Sequence, residues 1–341
     1  MRMRGKSPEG IRRRSPLAYC AIPAIVFAIA LATAWSRDLS QATSASNSQF
    51  TIKSNVDVVL LHMAVRDRDG NLVGQLHKDD FQIYEDRVPQ EIESFSHEDV
   101  PVTVGLVVDN SGSMKTKRPE VVAAALAFVR SSNPRDEMFV VNFNDVVSFG
   151  LPRNLPFTDQ PDQLSVALSS AEPEGRTALY DAISYAIGHL KQGNHDKKAL
   201  IVVSDGGDNI SKYTLSETMA LAVKSDAMIY TIGLFDLDDF DRNPRVLKEL
   251  AKATGGDSFF PHSIKEVRTI CESIALEIRN QYTITYKSSN QKQDGSYRSI
   301  KVKVHGLDHG HLVVRARSGY YAPSNSESKW GFKASRHESS D

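Results

Sequence analysis

"VTVGLVVDNSGSM", residues 102–114, decides how the rest of the chain is read. It opens as a nearly continuous apolar run, the pattern of a strand covered on both faces, and then breaks into Asp109, Ser111 and Ser113 at alternate positions. A strand that has been burying its side chains and ends in three oxygen-bearing groups is either entering a polar turn or contributing part of a site.

After it, strand-like runs alternate with helix-like ones. "RPEVVAAALAFVRS", "TALYDAISYAIGHLKQ", "TLSETMALAVKS", "NPRVLKELAKATGG" and "IKEVRTICESIALEIRNQ" carry apolar residues at helical spacing. Between them, "EMFVVNFN", "VVSFGL", "KKALIVVSDG", "DAMIYTIGLF" and "DSFFP" read as strands. This alternation over 101–280 predicts a doubly wound, mostly parallel α/β sheet with helices on both faces. On either side the strands come without helices. Residues 51–100 give a long strand, an Asp69-Gly70 turn, a second short run and two further segments broken near Pro89, together read as one sheet. Residues 281–322 give "YTITYKS", "YRSIKVKVHG" and "HLVVRARSGYYA". The two flanks are expected to combine into one β-sandwich interrupted by the α/β unit, because either alone would be marginal.

The first 34 residues carry six basic groups and one acidic, followed by the uncharged run Leu17–Trp35 and the small-x-small triplet Ala32-Thr33-Ala34. That order is the pattern of an export signal cleaved after Ala34; an uncleaved membrane anchor is the competing reading. Export would place the chain outside the cell, in the periplasm or in the envelope. Residues 35–50 read as a linker and 323–341 as a disordered tail. Without residues 1–34 the chain has 35 basic and 41 acidic residues, a balance that gives no reason to expect nucleic-acid binding. Of the two cysteines, Cys20 would leave with the signal, and Cys271 falls on the apolar face of a helix, where an inert buried thiol is expected. Nothing in the sequence sets the oligomeric state.

In an open α/β sheet, ligands bind where the loops after the strands converge. Asp109, Ser111 and Ser113 lie there, and two more loops reach the same rim: "EGRTALYD" brings Thr177, and "IVVSDGGDN" brings Asp205. Two carboxylates and three hydroxyls form an oxygen-only set suited to a hard cation such as Mg²⁺, with Mn²⁺ or Ca²⁺ as alternatives. Such a set under-fills an octahedron, and the open position would accept an anionic oxygen, typically a Glu or Asp carboxylate of a protein partner. The bland alternative is that the same residues are helix caps and turns, for which Ser, Thr and Asp are preferred.

"DNSGS", Thr177 and Asp205 in "SDGGD" resemble the metal-ion-dependent adhesion site of von Willebrand factor type A (VWA) domains, and the flanks are similar to those of a bacterial, acidobacterial-type group of exported VWA-related proteins. What the resemblance implies is a Mg²⁺ or Mn²⁺ site for protein ligands in a non-enzymatic adhesion module. It also implies direct coordination by the serines and Thr177, with the aspartates acting through water. A structural envelope component, with the metal only stabilising the rim, is the second reading. A metal-dependent hydrolase is the third; no Gly-x-Ser-x-Gly, phosphate loop or His-Glu-x-x-His sequence supports it.

Three further features each have two readings. Asp236, Asp238, Asp239 and Asp241 would make either a second cation site or a solvated acidic loop. His305, His309 and His311 read as a hairpin turn rather than a zinc site, since no fourth ligand is near in sequence. Arg176 would steer an acidic partner or be an ordinary loop arginine.

Overall fold

The computed structural model describes residues 58–235, 242–305 and 311–324, all within the unit Asn55–Asp341. The export-signal, linker and tail readings, the loop 236–241 and His309 lie outside the described residues. Four strands come first: β1 (Val58–Arg66), β2 (Phe81–Glu85), β3 (Val88–Gln90) and β4 (Ile92–Ser96). The alternating part runs β5 (Val102–Asp109), α1 (Arg118–Ser131), β6 (Glu137–Phe143), β7 (Val147–Phe149), α2 (Pro161–Ser169), α3 (Leu179–Leu190) and β8 (Lys197–Ser204). It continues with α4 (Leu215–Lys224), β9 (Met228–Gly233), α5 (Pro244–Thr254), β10 (Ser258–Phe259) and α6 (Glu266–Arg279). Four strands close the described chain: β11 (Tyr282–Lys287), β12 (Tyr297–Val304), β13 (Val313–Ala316) and β14 (Gly319–Tyr321).

The central sheet has the order β10-β9-β8-β5-β6-β7, parallel except for β7. Every residue of β5, β9 and all but one of β8 is buried, as an apolar strand requires when helices cover both faces. The helices start where their chemistry allows. Thr214 and Glu217 form a reciprocal capping box on α4, and the Asn243 side chain accepts from Val246 N–H to cap α5. α3 differs: its N-cap is Ala178, which has no capping side chain. α2 was not anticipated, being short and visible in the sequence only through Pro161 at its start.

The flanking strands form two antiparallel four-stranded sheets, β13-β1-β11-β4 and β14-β12-β2-β3, and each mixes strands from before and after the α/β part. Their inner faces share one apolar core that includes Leu61, Met63, Phe81, Ile83, Tyr282 and Ile284. Residues 51–100 therefore do not make one sheet: β1 and β4 belong to one layer, β2 and β3 to the other. The run after the Asp69-Gly70 turn gives only an isolated Arg66–Leu72 bridge, and "HLVVRARSGYYA" divides into β13 and β14, in opposite sheets. Alternation identifies a strand and its buried face but not its partner.

A buried ionic knot joins the two ends of the chain. Arg298 of β12 is fully buried and Glu85 of β2 is 2% exposed, with Nη1 and Oε1 3.6 Å apart. Glu85 also accepts from Ser288 Oγ at 2.6 Å, Tyr286 OH at 2.9 Å and Tyr320 OH at 3.0 Å, so both carboxylate oxygens are hydrogen-bonded. A second knot attaches α6 to the sandwich. Glu277, fully buried, accepts from Arg66 of β1 and Tyr230 of β9, with Arg315 of β13 at 3.4 Å.

Removing one partner of a buried pair leaves an uncompensated charge at a cost of about 3–5 kcal/mol. Glu85→Ala and Arg298→Ala should each destabilise the sandwich by about that much in urea titrations. The double substitution should cost clearly less than their sum; additive costs would show that the two residues are not coupled.

Candidate functional site

β5 and β8 are neighbouring parallel strands, with Val108 opposite Val203. Asp109, the last residue of β5, and Asp205, the first after β8, therefore emerge together at the carboxyl edge. The chain leaves β5 for β6 on one side and β8 for β9 on the other. That reversal opens the crevice in which ligands of doubly wound sheets bind.

Four of the five expected residues form one hydrogen-bonded run. Asp109 Oδ1 accepts from Ser111 N–H at 2.8 Å and Oδ2 from Ser204 Oγ at 2.6 Å. Ser111 Oγ and Ser113 Oγ are 3.1 Å apart, and Ser113 Oγ donates to Asp205 Oδ2 at 2.8 Å. Asp205 Oδ1 accepts from Gly207 N–H at 2.9 Å. Thr177 comes from the third loop, and the backbone ties it in. Gly112 N–H donates to Gly175 O at 3.1 Å, while Thr177 and Asn209 exchange two hydrogen bonds, each 3.0 Å.

The capping alternative can be checked directly. Ser111 is the N-cap of a short 3₁₀ turn, Gly112–Met114, but its side chain makes no cap hydrogen bond. Thr177 stands one residue before the N-cap of α3, and no described hydrogen bond uses its hydroxyl. Capping is the usual employment of such side chains, and neither is so employed.

The electrostatics favour a cation. Asp109 is 1% and Asp205 3% exposed. Burial, and secondly the Asp205 carboxylate beside it, push the Asp109 carboxyl up to about 6. Two carboxylates withdrawn from water repel each other, and a divalent ion between them would remove that cost. All the donors are oxygen, and among the described residues no cluster of three or more His, Cys, Asp or Glu is placed to hold a metal. A cation at this rim would need the hydroxyls as ligands, a donor set of the kind that suits Mg²⁺ or Mn²⁺ rather than zinc.

Some groups have other work. Arg176 is paired with Asp145 at 3.0 Å, both exposed. Gly175 has φ +81°, and a Cβ there would lie 2.2 Å from Asp145 Oδ2, so this loop's shape requires glycine. Burial pushes the Cys271 thiol up to about 12, as expected of an inert core cysteine. His305 N–H is bonded to Asp80 O. No helix among the described residues is long and apolar enough to cross a membrane.

Ser204, Asp208 and Asn209, which hydrogen-bond to Asp109, to the start of α3 and to Thr177, are contacts that the sequence reading did not single out. Their signal was their place in the "VVSDGGDN" stretch around Asp205, but what they touch is distant in sequence.

The family model described as von Willebrand factor type A domain matches residues 104–207, a span that includes all five candidate residues. Among solved structures, a von Willebrand factor type A protein from Catenulispora acidiphila aligns with TM-score 0.47 at 11% identity, covering 81% of this chain and 76% of that one. An aerotolerance-related membrane protein from Bacteroides fragilis NCTC 9343 gives TM-score 0.41 at 18% identity, over 52% of this chain and 98% of that one. The PilB minor pilin from Streptococcus sanguinis gives TM-score 0.41 at 12% identity, over 54% and 62%. No curated protein matches the chain.

Since the Thr177 hydroxyl supports no helix, Thr177→Val should leave the metal-free melting temperature within about 2 °C of the parent. Its Mg²⁺ affinity, read by calorimetry, should fall at least roughly tenfold, in the range typical of a disrupted metal site. A large drop in metal-free stability would mean that the hydroxyl is structural.

Proposed function

We propose that the carboxyl edge of the central sheet holds a divalent cation, Mg²⁺ in the first instance, on Asp109, Ser111, Ser113, Thr177 and Asp205, and that this edge captures a carboxylate of a protein partner. The observation that carries the reading is the pair of buried carboxylates at one edge, joined to serine hydroxyls that cap nothing. The bound ion would supply a Lewis-acidic position open to an anionic oxygen. The chain's own residues set up that position. Asp109 keeps both oxygens in hydrogen bonds to Ser111 N–H and Ser204. Its carboxylate is thereby fixed in orientation and suited to act through a bound water. The serine and threonine hydroxyls are neutral donors, and the two carboxylates balance the ion's charge without filling its shell, which leaves a coordination position for the partner's acid.

The role proposed is binding rather than catalysis. The basic, apolar and small-residue order of the first 34 residues supports placing this activity outside the cytoplasm.

Capture of binding partners from native envelope or culture medium by the immobilised protein should require Mg²⁺, be abolished by EDTA, and be lost in Asp109→Ala and Asp205→Ala proteins that remain folded by circular dichroism. Capture that persists in EDTA and in both variants would refute the metal-bridged mechanism.

A further inference from the structure

The loop that supplies Asp205 reaches well beyond that residue. At its start, Ser204 Oγ accepts from Gly206 N–H at 3.0 Å while donating to Asp109. Gly206 has φ +80°, and a Cβ there would stand 2.5 Å from Asn243 O; Asn243 N–H in turn donates to Asp205 O at 3.0 Å. The turn is thus pressed against the start of α5 and held there. From that anchored base the rest of the loop extends over the start of α3. Asp208 Oδ1 accepts from Tyr180 N–H at 3.2 Å and from Ser211 Oγ at 2.5 Å, and Ser211 Oγ accepts from Asp181 N–H at 3.0 Å. Asn209 closes its two bonds on Thr177 itself.

These contacts answer a problem the helix cannot solve alone. The first N–H groups of a helix need acceptors, and Ala178 at the N-cap provides none. A serine, threonine or aspartate capping from its own position would draw the preceding segment into a cap geometry. Here the cap is borrowed from another loop, and of the residues before the helix it is Thr177 that this loop holds, while Ala178 N–H donates to Asn144 O at 3.0 Å and Gly175 O accepts from Gly112 N–H. Thr177 is the residue so placed, with its N–H and C=O both bound to Asn209 and its hydroxyl bound to nothing described.

We infer that Asp208 and Asn209 are positioning residues of the metal site: they touch no metal, and they hold Thr177 at the rim through its backbone and through the first turn of α3. This rests on the reading of Thr177 as a ligand given above. Geometric support of this kind around a metal site is typically worth ten- to a hundredfold in affinity. The Ser204–Asn209 segment would then serve the site three ways, donating Asp205, orienting Asp109 through Ser204 and placing Thr177 through Asn209.

The test uses the full chain with Asn209→Ala, Asn209→Asp, which retains the Oδ1 acceptor, and Asp208→Ala. Two readouts are taken: Mg²⁺ affinity by calorimetry, and hydrogen exchange of the Thr177 and Tyr180 amides without metal. Asn209→Ala should exchange faster at Thr177 and bind Mg²⁺ roughly tenfold or more weakly. Asn209→Asp should restore Thr177 protection, and Asp208→Ala should speed Tyr180 exchange and weaken Mg²⁺ binding. Unchanged exchange in Asn209→Ala, or faster exchange with Mg²⁺ affinity equal to the parent's, would overturn the assignment. A parent protein that binds no Mg²⁺ while Asn209→Ala still loses Thr177 protection would sink the metal reading and leave the placement of Thr177 by Asn209 standing.

Discussion

Two parallel strands lie side by side, and each ends at a carboxylate. β5 delivers Asp109 and β8 delivers Asp205 to the same edge, because every helical crossover in a parallel sheet returns the chain to the same end. Once two acids are buried together at that edge, the surrounding loops have to manage their repulsion. They do so with donors: Ser111 N–H, Ser204 Oγ, Ser113 Oγ and Gly207 N–H each approach one carboxylate oxygen. Hydrogen bonds of this kind moderate the repulsion without neutralising it, and the Asp109 carboxyl stays raised despite them. Burying two acids side by side therefore costs the fold stability that its apolar core has to supply.

How much of this was legible in the sequence depends on whether a residue's role is local. Asp109, Ser111 and Ser113 could be read because a buried strand and its following turn are contiguous, and the α/β alternation placed Thr177 and Asp205 on the same rim. Asn209 could not, since its partner Thr177 is 32 positions away and an Asn in a Gly-Asp turn is unremarkable. Period-2 alternation puts Arg298 on the same face as Ile300 and Val302, which was the available sign that it is buried. Its partner Glu85 lies 213 positions earlier, and no spacing rule connects them. Strand pairing failed for the same reason: that the two flanks combine around the α/β part could be read, but not which strand of one pairs with which of the other, as β2 does with β12.

The sandwich and the α/β part are coupled by buried charge as well as by apolar packing. Glu277 sits on the last helix of the α/β part, yet two of its partners, Arg66 and Arg315, belong to the sandwich. A carboxylate with no exposure is tolerable only while those partners stay in place. The contact therefore sets the orientation of α6 against β1 and β13 more stringently than a greasy interface would, since side chains of similar volume cannot replace it piecemeal.

An interrupted sandwich also imposes an order in time. β1 is complete at residue 66, but its neighbour β11 begins only at residue 282. At common rates of synthesis that gap is roughly 10–40 s. During this interval the α/β part can close on its own contiguous core, while β1 to β4 have emerged without the strands that cover them. Unpaired strands with one apolar face invite association with other chains. For the nascent protein, the vulnerable stretch is therefore β1 to β4, and its protection waits for the strands that follow α6.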